Sequence, residues 1–93
     1  MSSEVTLEYA QGKTTTEFNT FEEAVMFMKD VAGDASVREL KSISIMTYVG
    51  HSRMGFHEYY DDAYDAQNRL GPFILHVMDG YEQTRRLEQK SKM

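Results

Sequence analysis

The sequence predicts a small α+β domain: an antiparallel sheet made of a β-hairpin, a helix and a third strand, followed by one or two C-terminal helices. Three observations predict it. Residues 4–18 alternate around Gln11-Gly12 in the manner of a hairpin. Residues 20–32 place apolar side chains three and four apart behind a helix-start signal. From residue 56 onward apolar residues recur every seven positions. The 93 residues make one domain, 1–93.

In the first element Val5, Leu7 and Tyr9 alternate with Thr6 and Glu8, the period of a half-buried strand. Gln11-Gly12 supplies the turn, and Thr14 to Phe18 returns as a β-branched strand. Thr20-Phe21-Glu22-Glu23 fits a capping box, in which a hydroxyl and a carboxylate each satisfy a free backbone amide. Phe21, Ala24, Val25 and Met28 then form the inward stripe of a helix, widened by Phe27 and Val31, with Gly33 as its stop. Residues 34–41 connect, with room for one helical turn. Ser42 to Val49 reads as the third strand, with Ile43, Ile45 and Val49 on one face and Met46 and Tyr48 on the other.

Gly50 to Gly55 reads as a loop, and residues 56–70 as a second helix. At about 100° per residue, Phe56, Tyr59, Tyr60, Ala63, Gln67 and Leu70 fall in one stripe. Glu58, Asp61, Asp62, Asp65 and Arg69 fall opposite. Past Gly71-Pro72 two readings exist. In one, Pro72 opens or kinks a further helical segment. In the other, residues 73–87 form a hairpin turning at Asp79-Gly80. Phase favours the helix: Phe56, Ala63, Leu70 and Val77 repeat every seven, as do Tyr60, Gln67, Ile74 and Tyr81. The tail is cationic at Arg85, Arg86, Lys90 and Lys92, which suits a helix C-terminus.

Composition narrows the function. A formal charge of -5 argues against a direct nucleic-acid binder, which needs a basic footprint, and against docking on an anionic membrane. With no cysteine there is no disulfide, thiolate metal site or thiol nucleophile, which suits a reducing cytoplasm. The N-terminus lacks the basic region and apolar run of a signal peptide, and no apolar run approaches the roughly 20 residues that span a bilayer. A chain this small buries a modest core, and a homodimer is the expected way to bury more.

The acidic stripe is the strongest candidate site. Glu58, Asp61, Asp62, Tyr64 and Asp65 are expected to contact a partner: acids for a basic surface, tyrosine for apolar area with a polar tip. Carboxylates on successive turns, about 5–6 Å apart, approach the interval of DNA phosphates, so the strongest form is DNA mimicry. The plainer reading is a solvated face, with acids near a helix N-terminus and an Asp65–Arg69 pair. A second candidate is His51, Ser52 and Arg53, where loop amides, a hydroxyl and an arginine fork would hold a nucleotide or phosphate. His57–Asp61 and His76–Asp79 each supply two potential metal ligands, short of the four a structural zinc wants, so no metal is expected. Ser52 beside His51 and His57 lacks the third group of a triad, and no GxSxG elbow occurs. The residues therefore lead to an expectation of no enzyme and no cofactor. The expected function is a small acidic inhibitor or regulator, phage-type, docking on a larger nucleic-acid-handling host protein. The alternatives are a small-ligand binder and a self-assembling structural subunit.

Overall fold

Alternation and pairing decide the first half of the molecule. In the computed structural model, which describes residues 3–91, β1 (Ser3–Tyr9) and β2 (Gly12–Phe18) form the expected hairpin. Ser3, Val5 and Leu7 are buried and Glu4 is exposed. Gly12 sits at φ +147°, a conformation open to glycine and closed to most side chains. Helix α1 (Phe21–Ala32) follows with both halves of its capping box. The Glu23 amide donates to Thr20 Oγ1 at 3.1 Å, and the Thr20 amide donates to Glu23 Oε1 at 3.1 Å. Phe21, Ala24, Val25, Met28 and Val31 are buried, the stripe that the spacing predicts. Gly33 caps the helix at φ -89°, so the stop does not use glycine's left-handed freedom.

A 3-10 turn at Ala35–Glu39 leads into β3 (Leu40–Val49). Ile43, Ile45 and Val49 face the core as expected, joined by Thr47, whose hydroxyl shares a buried hydrogen bond with Ser3 at 2.7 Å.

The largest correction comes next. Only Gly50 and His51 of the expected 50–55 loop form a turn, residues 52–55 are strand, and the second helix does not begin at Phe56. The chain turns at Gly50-His51 and returns as β4 (Ser52–Tyr59), antiparallel to β3 in the register Ile43↔Glu58, Ile45↔Phe56 and Val49↔Ser52. The Tyr60 amide extends the ladder by donating to the Lys41 carbonyl at 2.9 Å. The physical reason is non-local. Without β4, the free backbone groups along β3 would lack partners, and Met54 to Tyr60 is rich in the aromatic residues that suit a pleated sheet. The three- and four-residue spacing of Phe56, Tyr59 and Tyr60 was a coincidence of aromatic density. In the strand, Phe56 and Glu58 face the helices while His57 and Tyr59 face out.

Among the described residues the sheet has four strands in the order β2-β1-β3-β4, every pairing antiparallel. Both helices cover one face, α1 over β1 and β2, α2 over β3 and β4. The other face is open, with Tyr48 42% exposed there.

Helix α2 (Ala63–Ser91) runs unbroken through Gly71-Pro72, so residues 73–87 are helix and not hairpin. Pro72 cannot donate to the Asn68 carbonyl. Both Gly71 and Pro72 are exposed, so water can reach that carbonyl. Ala66, Leu70, Phe73, Ile74 and Val77 form the buried stripe, whereas Gln67 is exposed. Tyr81 stacks on Phe21 with ring centroids 3.8 Å apart. Gly80 lets the helix approach β4: a Cβ there would lie 2.6 Å from Phe56 Cζ. Lys92, assigned to the cationic tail, lies outside the described residues. Among those residues no helix is long and apolar enough to cross a membrane.

Candidate functional site: the β4–α2 junction

The five residues singled out for partner contact gather at one end of the sheet, but not as one helical face. Glu58 lies on β4, Asp61 and Asp62 in the link, and Tyr64 and Asp65 on the first turn of α2. The link is built from its own carboxylates. Asp62 Oδ1 accepts the Asp65 amide at 2.8 Å and so caps α2. Asp65 Oδ2 reaches back to accept the Asp61 amide at 3.1 Å.

Arg69, one turn further on, closes the inward side. Its Nη1 donates to Asp65 Oδ2 at 3.1 Å and its Nη2 to Glu58 Oε2 at 3.2 Å. Its guanidinium carbon stands 5.8 Å from the centre of the Tyr60 ring. The Asp61 amide, followed by Arg69, holds the Asp65 carboxyl below its ordinary value. Tyr60 is only 5% exposed. Burial, and after it the nearby Glu58 carboxylate, pushes its phenol far above the ordinary range. Tyr60 Oη and Glu58 Oε1 are buried and find no hydrogen-bond partner among the described residues. Tyr60 thus packs beneath a half-exposed ionic cluster of Arg69, Glu58 and Asp65.

The outward side differs. Tyr59 is 68% and Tyr64 77% exposed, and Asp61 and Asp62 between them are exposed. Sequence phase assigned Tyr59 to the core beside Tyr60. Strand alternation turns it to the opposite face, where its ring meets His57 edge-on at 5.6 Å. The trace of this in the sequence is the apolar alternation of Met54, Phe56 and Tyr60, broken at Glu58, which the helical reading passed over.

His51, Ser52 and Arg53 do not converge. His51 is in the turn, Ser52 Oγ donates to Glu88 Oε2 at 2.7 Å, and Arg53 lies on the open face with Nε 3.1 Å from Met46 Sδ. No helix N-terminus follows them, because β4 does. The expected His57–Asp61 helical spacing likewise disappears into the strand, and His76 packs edge-on against Phe56 at 5.4 Å. Among the described residues no group of three or more His, Asp or Glu is placed to hold a metal.

Elsewhere, a groove of about 640 Å³ lies between the helices, lined by Val25, Met78, Tyr81, Glu22, Lys29 and Arg85 among others. A second hollow, of about 520 Å³, lies on the open sheet face beside Thr6, Ser44, Met46 and Arg53. Neither includes the acidic junction. Comparison with protein-family models, curated proteins and solved structures finds no match to this chain.

Proposed function

We propose that this chain is a non-enzymatic interaction protein, a small acidic inhibitor or regulator that docks on a larger protein through the outward side of the β4–α2 junction. One observation carries the reading: two exposed tyrosines, Tyr59 and Tyr64, bracket two exposed carboxylates, Asp61 and Asp62. The core takes Tyr60 from the same run and leaves these out. Tyrosine offers a large rigid surface with few rotors, and such side chains dominate binding energy at interfaces. The flanking acids select a basic partner and speed its approach.

The partner that fits is a larger protein with a basic, partly apolar surface. A nucleic-acid-handling host protein meets that description, with a phage-type inhibitor as the concrete case. A chain without cysteine suits action in the cytoplasm. Strict imitation of a phosphate series is not part of this reading. Only Asp65 of the four acids lies on the helix, and it shares Arg69 with Glu58.

The test is affinity capture from a host lysate, read by mass spectrometry, with the native chain and an Asp61→Lys/Asp62→Asn variant as baits. Asparagine keeps the helix cap while removing the charge. A macromolecule held by the native chain, lost from the variant and released by moderate salt is the expected result. Equal capture by both baits at all salt concentrations overturns the reading.

A further inference from the structure

We propose that a second copy of this chain docks edge to edge on β2, joining two four-stranded sheets into one across a two-fold axis at Thr15. β2 is an edge strand, seven residues long, with no proline and no register shift against β1. Edges of this kind pair with other strands unless something blunts them.

The sequence of β2 says which strand fits. Lys13-Thr14-Thr15-Thr16-Glu17 carries opposite charges at equal distances from Thr15. Antiparallel pairing about that residue sets Lys13 opposite the second copy's Glu17, and Glu17 opposite the second copy's Lys13. Thr15 meets Thr15, and Thr14 meets Thr16. The five central cross-edge pairs, from Lys13 to Glu17, are then favourable, since hydroxyl pairs and opposite charges stabilise a sheet.

Two features of the single chain find their complement in this arrangement. Glu17 stands directly opposite Glu4 in the β1–β2 register, a like-charge pair, and neither has an ion pair among the described residues. A lysine from the second copy would complete the row as glutamate, glutamate, lysine. On the other face, Phe18 and Phe27 sit at this same edge with ring centroids 5.1 Å apart, both half-buried. The second copy would cover them. The dimer leaves both β4–α2 junctions free at its far ends, so it presents the proposed docking surface twice.

Sedimentation equilibrium on the full chain tests this. The expected mass is twice 10.8 kDa. Lys13→Glu alone and Glu17→Lys alone should each weaken self-association by about tenfold or more, because each turns two attractive pairs into repulsive ones. An equimolar mixture of the two variants should associate again, since every cross-edge pair is then opposite in charge. That rescue excludes misfolding as the cause of the loss. A chain that stays monomeric at every concentration overturns the proposal. So does a dimer indifferent to both substitutions, which would point to the helix groove, and so does a mixture that fails to reassociate.

Discussion

The two sides of the β4–α2 junction use the same residue types to opposite ends. Glu58, Tyr60 and Asp65 turn inward on Arg69, and Tyr59, Asp61, Asp62 and Tyr64 turn outward. Along β4 neighbours in sequence become packing or free surface because alternate residues face opposite sides of the sheet, while Asp61, Asp62 and Tyr64 are left exposed by the link and the first turn of α2. Residue type therefore says little about role at this place, and sidedness says most of it. The inward set should govern stability, and the outward set binding.

The largest expected separation is between the adjacent tyrosines. Tyr60→Ala removes a buried aromatic ring and should cost about 3–5 kcal/mol in chemical denaturation. Tyr59→Ala should stay within about 0.5 kcal/mol of the native chain while impairing capture of the partner. Similar costs at the two positions would erase the distinction.

Alkali sharpens the comparison. The Tyr60 phenol is raised above its ordinary value of 10.0 by burial and by Glu58. The folded state therefore holds that proton more tightly than the unfolded state does. This contribution is fully present below pH 10 and is lost as pH rises beyond it. Ultraviolet titration of the native chain against a Tyr60→Phe variant should show the Tyr60 phenol ionising only with unfolding. If the Tyr60 phenol ionises before the fold is lost, it is not buried.

A smaller effect separates the roles of Asp62, which faces outward yet caps α2 through Oδ1. Asp62→Ala should cost about 1 kcal/mol and Asp62→Asn a few tenths, because the amide oxygen still accepts the Asp65 amide. Equal losses would show that charge, and not the cap, does the stabilising. Smallest is the acid limb of Asp65. Its carboxyl is depressed below 3.8 by the Asp61 amide and Arg69. Its contribution is present above that value and lost as pH falls through the lowered one. Arg69→Met should move the onset of acid unfolding of the intact chain to higher pH, and an unmoved onset would remove Arg69 from the account.

Helix α1 was legible in the sequence because everything that specifies it is local: the Thr20–Glu23 box, the apolar spacing and the stop at Gly33. The helical phase of residues 73–87 survived Gly71-Pro72 for the same reason, since Leu70, Ile74 and Val77 keep one face. β4 was not legible. Its pairing partner is β3, and the inward position of Glu58, tied to Arg69, interrupts the apolar alternation that marks a strand. That misreading put Tyr59 in the core and set the acids on one helical face. The residue set of the junction was readable from its tyrosines and aspartates. Its division into two sides needed the strand.

The measurement that goes most directly to the claim is a capture experiment with two variants of equal stability. Tyr59→Ala/Tyr64→Ala strips the outward junction, and Met26→Lys alters the exposed apolar side chain that lines the helix groove. The account predicts that the first bait loses the partner and the second keeps it. Loss from the second with retention by the first would place the docking surface on the helices and contradict the assignment of the junction.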